Sequence, residues 1–255
     1  MSPIPLGILS LSGALRLERF VAVGTVGKIS TSIDGINWTA ETAGFETSTI
    51  FGVTTGSGQY VAGGQESKLR TSPNGTSWTG RTLDFDGQTV NSITFGDGLY
   101  VAGGRLGTLT TSPDGITWTT RTSQFATTTI RGLAYGSGIY IAGGDLGKLS
   151  SSSDGITWTA RTSGFGSTRI RGLGFGDGLY LAVGDSGTLT TSPDGISWTA
   201  RTSGFGATTI NGVTYGNGLY VAVGNSGNLR TSLDGITWTS RTSGFDTTLI
   251  YSVTY

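Results

Sequence analysis

The 255-residue chain has no cysteine and no histidine, one methionine and five prolines, and only 13% of its residues are charged. Without cysteine there are no disulfides and no thiol nucleophile. Without histidine as well, zinc sites of the usual ligand types and imidazole acid–base chemistry are excluded. The 16 basic residues balance 16 acidic ones, so neither a broad nucleic-acid-binding surface nor a polybasic membrane patch is expected. Residues 1–15 hold no positively charged leader and no long apolar run, so the sequence predicts no signal peptide and no membrane insertion. No cofactor is implied. An extracellular or virion surface, reached by another export route or by lysis, remains the compartment this reading favours. Apolar residues make up 35% and glycines number 45, a composition that builds a packed core only if the large side chains are placed systematically.

They are. The six tryptophans, Trp38, Trp78, Trp118, Trp158, Trp198 and Trp238, stand 40 residues apart. Each closes a near-copy of the stretch Thr111-Ser112-Pro113-Asp114-Gly115-Ile116-Thr117-Trp118. Self-similarity at this period means one supersecondary unit repeated and packed against itself. The register is unbroken from residue 19, which predicts a single domain over 19–255 preceded by an arm, 1–18, where Leu9 to Leu17 alternate as a half-buried strand would.

Within a repeat, strand A (209–215) runs into the turn Gly216-Asn217-Gly218, strand B (219–223) follows, then strand C (228–232), the turn at Asp234-Gly235 and strand D (236–242). Four short strands joined by Gly-rich hairpins make one antiparallel sheet. Six such sheets of about 40 residues fit a six-bladed all-β propeller. The C-terminal stretch 249–255 reads as a strand A with no strand B after it, while residues 20–24 read as a strand B with no strand A before it. The C-terminal strand is therefore expected to join the N-terminal B, C and D strands and close the ring, which removes two free sheet edges.

The recurring turn has a mechanical explanation. Proline presets φ, the aspartate accepts backbone N–H bonds further round the turn, glycine supplies a positive φ, and the nearby Ser or Thr hydroxyl joins the network. Asp34, Asp114, Asp154, Asp194 and Asp234 hold this place, and Asn74 replaces the acid once. With its tryptophan the motif resembles that of the Asp-box, or bacterial neuraminidase repeat, propellers, in a form one residue shorter between Asp and Gly that is common in bacterial and phage repeat proteins. The resemblance implies a propeller fold and spans sialidases, lectins and scaffolds. In sialidases it would imply an arginine triad, a Tyr/Glu nucleophile pair and an acidic group. Here Arg81, Arg121, Arg161, Arg201 and Arg241 recur at one repeat position, and a residue stamped into every blade reads as part of the blade. No catalytic and no metal-binding residues are assigned.

Positions that differ between blades locate a site instead. One place on strand A reads Phe51, Asn91, Arg131, Arg171, Asn211 and Tyr251, with Arg169 beside Arg171. Guanidinium forks bind carboxylate, sulfate or phosphate and aromatic faces stack on sugars, so these seven residues form a candidate pocket at the channel mouth. Phe125, Phe165, Phe205 and Phe245 on the D–A loops offer either repeated shallow sites or plugs between blades. The sequence thus predicts a non-catalytic recognition or display propeller, with a glycan or surface polysaccharide as partner. The alternatives are a phage or cell-surface assembly protein docked to other structural proteins through residues 1–18 and, third, a sialidase-like glycoside hydrolase.

Overall fold

The computed structural model describes residues 19–83 and 85–253. It is a six-bladed β-propeller. The first blade contains β1 (Phe20–Val23), β2 (Ile29–Ser32) and β3 (Thr39–Glu41), and the second β4 (Ile50–Gly56), β5 (Gln59–Gly64), β6 (Leu69–Ser72) and β7 (Thr79–Arg81). The four-strand set then recurs as β8 (Val90–Gly96) to β11 (Thr119–Arg121), β12 (Ile130–Gly136) to β15 (Thr159–Arg161), β16 (Ile170–Gly176) to β19 (Thr199–Arg201) and β20 (Ile210–Gly216) to β23 (Thr239–Arg241). Every sheet is an antiparallel meander in chain order. The inner strands β4, β8, β12, β16 and β20 face one another around the axis. The predicted strand on residues 9–17, and with it the arm, lies outside the described residues.

The local chemistry follows the sequence. Each inner strand turns into the next through a two-residue loop with both residues left-handed, as at Asp97 (φ 42°) and Gly98 (φ 75°), the backbone twist that a tight hairpin requires. In the recurrent turn, here Ser153-Asp154-Gly155, Asp154 Oδ1 accepts the N–H groups of Ile156 at 2.8 Å and Thr157 at 2.7 Å and the Ser152 hydroxyl at 2.8 Å. Asn74 does the same with the N–H groups of Thr76 and Ser77. The Trp158 indole N–H closes the turn on Gly155 O at 3.0 Å. The outer strand is shorter than the sequence suggests, Thr239–Arg241 instead of 236–242. The reason is that the Ile236 and Thr237 N–H groups are held by Asp234 Oδ1 and cannot enter a ladder.

Blades are joined by tyrosines. Tyr100, Tyr140, Tyr180 and Tyr220 are fully buried, and the hydroxyl of each donates to a carbonyl of the preceding blade, that of Gly56, Gly96, Gly136 and Gly176 respectively. The same glycines make room for an aromatic ring of the following blade. A Cβ on Gly136 would lie 2.2 Å from the Phe175 ring. The repeated arginines also belong to the blade: Arg81, Arg121, Arg161, Arg201 and Arg241 each donate Nε–H to a hydroxyl on the strand beside them.

The C-terminal segment closes the ring by lying against β20. Ile250 N–H donates to Gly224 O at 3.1 Å, as Ile50 N–H does to Gly24 O, and the backbone of Tyr251, Ser252 and Val253 packs on Gly212. Among the described residues the first sheet has three strands, and no ladder joins this segment to β1. Residues 254 and 255 are not among those described. This seam also has Phe20 where the other blades have a buried tyrosine, and Phe20 is 54% exposed.

Candidate functional site

The inner strands carry one irregularity in common. In β12, Ile130 pairs with Gly144 and Gly132 with Gly143, so Arg131 is an extra residue with no partner in the ladder. The same shift leaves Phe51, Arg171 and Asn211 outside their ladders, and Asn91 likewise. A β-bulge turns the strand and re-aims the extra side chain. Here it sends that side chain over the end of the channel. Phe51, Asn91, Arg131, Arg171, Asn211 and Tyr251 line one cavity of about 180 Å³.

The bulged residues are not free. Arg131 forms a fork on Asp145, Nε to Oδ1 at 2.5 Å and an Nη to Oδ2 at 3.1 Å. Arg171 Nε donates to Asp185 Oδ1. Asn211 Nδ2 donates to Asn225 Oδ1 at 2.9 Å and to Ile250 O at 2.9 Å, and Asn91 Nδ2 to Ile130 O at 2.8 Å. Each pair of side chains spans 14 residues, from the bulge to the first residue of the loop between the second and third strands of that blade. The blades therefore read Arg–Asp, Arg–Asp and Asn–Asn at positions 131–145, 171–185 and 211–225. This matched variation was visible in the sequence and marks the partners that orient the mouth.

Arg169 is placed elsewhere. It does not line the mouth but a second, open cavity of about 540 Å³, lined by residues 127–129, 145–146, 167–169 and 185–186. Its Nε lies 2.7 Å from Asp145 Oδ1, an ion-pair contact without hydrogen-bond alignment. Asp145 thus bridges Arg131 in the mouth and Arg169 in the neighbouring cavity. Burial raises the Asp145 carboxyl, but the hydrogen bond and charge of Arg131 and the charge of Arg169 outweigh it and hold the group below the usual carboxylate range. Three guanidiniums against Asp145 and Asp185 leave this quarter of the face with a net charge of +1.

The loop phenylalanines divide. Phe125, Phe165 and Phe205 are buried in the cores between blades, which is the plug reading, and only Phe245 of the four is exposed, at 49%.

No protein-family model matches the chain, and no curated protein matches it. Solved structures do. The structure of YCF48 bound to a D1 peptide superposes with a TM-score of 0.67 at 18% identity, over 88% of this chain and 77% of that one. Virginiamycin B lyase from Staphylococcus aureus gives 0.68 at 12% identity, over 75% and 69%. A nidogen/laminin complex gives 0.65 at 14% identity, over 92% and 97%. At these identities the likeness is one of fold, and it places the chain among the β-propellers.

Proposed function

We propose that this chain is a non-catalytic recognition propeller that takes the acidic end of a glycan or surface polysaccharide at its channel mouth. The observation that carries the reading is the two-sided make-up of the mouth. Arg131 and Arg171 stand on adjacent blades, and in a ring of six the blades of Tyr251 and Phe51 lie directly across from them. A guanidinium has five N–H donors, and Arg131 places only two of them on Asp145. The remaining donors suit a carboxylate or sulfate. The aromatic pair, Phe51 49% and Tyr251 76% exposed, suits the apolar face of a sugar ring. A cavity of about 180 Å³ is below the size range of sites that engulf a whole ligand, so one terminal residue enters end-on.

The likeness of the recurrent turn to the Asp-box agrees with this reading, since that motif occurs in lectins. The test is a glycan array on the purified protein beside an Arg131→Ala/Arg171→Ala variant. Binding to acid-terminated glycans that the double variant loses supports the reading. Binding that persists moves the site away from the mouth, and an absence of glycan binding by the folded protein overturns it.

A further inference from the structure

Beside the mouth lies the second cavity, and its arginine is particular to one blade. Position 169 is Arg only once. The equivalent residues are Thr49, Thr89, Thr129, Thr209 and Leu249. Two features shape this cavity. Arg169 Nε is engaged by Asp145 at 2.7 Å, and the side chain, 36% exposed, lies on the cavity lining. Leu146, on the cavity rim, is held at φ 57° and is 62% exposed. The equivalent residues Val26, Glu66, Leu106, Ser186 and Ser226 share this left-handed conformation, which belongs to the loop of every blade. An exposed apolar residue thus stands beside a cavity lined by Asp145, Asp185, Arg169 and threonine and serine hydroxyls.

We propose that this inter-blade cavity is a second sugar subsite, occupied by the neutral units that follow the acidic end residue bound at the mouth. The proposal rests on the glycan reading above and extends it. Sugar hydroxyls both donate and accept, and a site that offers carboxylate acceptors beside a guanidinium donor pairs both halves of each hydroxyl. Leu146 covers the apolar face of the ring. No net positive charge is needed here, because within the lining the Arg169 charge is already opposed by Asp145 and Asp185. Continuity with the mouth comes through Asp145, which contacts Arg131 on one side and Arg169 on the other. A chain leaving the mouth across this carboxylate enters the second cavity. Arg169 occurs in one blade of the six, and this gives the propeller one polarity for a bound glycan.

The experiment is an array of acid-terminated glycans from disaccharide to tetrasaccharide with neutral glycans of the same lengths, probed with the wild type, Arg169→Thr and Arg131→Ala/Arg171→Ala. Arg169→Thr installs the residue of four other blades, so folding is retained, and Arg131 still pairs with Asp145. The wild type is expected to bind longer acid-terminated glycans about tenfold more tightly than the disaccharide, the effect of one hydrogen bond to a charged group. Arg169→Thr is expected to bind all lengths at the disaccharide level. Loss of length dependence in that variant, with short-glycan binding intact, supports the subsite. Length dependence that survives in Arg169→Thr, or is absent from the wild type, overturns it. Neutral-glycan binding that Arg169→Thr loses and the mouth variant keeps supports the subsite while overturning the acidic-end reading, and no binding by any folded protein overturns both.

Discussion

Replacing Tyr180 by phenylalanine is expected to reverse its effect on stability between neutral and alkaline pH. Tyr180 is 1% exposed, and its hydroxyl donates to the preceding blade at Gly136 O, with Ile139 O at 3.0 Å. Removing the hydroxyl leaves those carbonyls short of a donor, a net cost of about 1 kcal/mol at pH 7. For a domain of this size that lowers Tm by about 2–4 °C. Burial, with a smaller contribution from Tyr135, pushes the Tyr180 phenol up to about 12, against about 10 when unfolded. The folded state therefore favours the neutral phenol. Its contribution is complete below pH 10 and is lost as the pH rises towards 12, because the unfolded chain ionises first. Two pH units correspond to about 2.7 kcal/mol, which exceeds the lost hydrogen bond. Tyr180→Phe should be the less stable protein at pH 7, cross the wild type near pH 11 and be the more stable above it. Denaturant titrations followed by tryptophan fluorescence from pH 7 to 12 would read this. A variant that stays less stable by a constant amount throughout would refute the argument, since the tyrosine would then not be held neutral by the blade seam.

Gly136→Ala places a Cβ about 2.2 Å from the Phe175 ring and should cost at least about 2 kcal/mol through overpacking. Gly138→Ala meets nothing within 4 Å but sits at φ 78°, so its cost should stay near 1 kcal/mol, and chemical denaturation of the two separates packing from backbone strain. In the recurrent turn, Asp154→Ala should cost about 1 kcal/mol, the usual worth of an acceptor that satisfies free backbone N–H groups, whereas Asp154→Asn should cost less because Asn74 already does the same work. The backbone N–H groups of Thr157 and Ile156 hold the Asp154 carboxyl down at about 2. Its contribution is present above about pH 4 and disappears as the pH falls through 2, so the asparagine variant should lose less stability than the wild type between pH 4 and pH 2. The double arginine and Arg169 variants described above complete the set.

The sequence by itself determined the architecture. A 40-residue period fixes the number of blades, and each blade's turns are written in residues that act locally: a Gly that accepts positive φ, an Asp that reaches two N–H groups along, a Tyr at a set distance from the turn. Such devices depend on neighbours in the chain, so a pattern shows them. The ring order of the variable residues was legible too, since identical blades place equivalent residues at equivalent heights. The tertiary structure decided where those residues point. The bulge at residues 51, 91, 131, 171 and 211 arises from how an inner strand is paired with its neighbour and packed around a narrow axis, and nothing in Ile130-Arg131-Gly132 alone requires it. For the same reason Arg169 and Arg171, two residues apart, part company. Arg171 sits in the bulge and turns over the channel, while Arg169 precedes the ladder and reaches the carboxylate of the adjacent blade. Which cation meets which anion depends on the distance between blades, and that distance is set by buried tyrosines and phenylalanines far along the chain from either arginine.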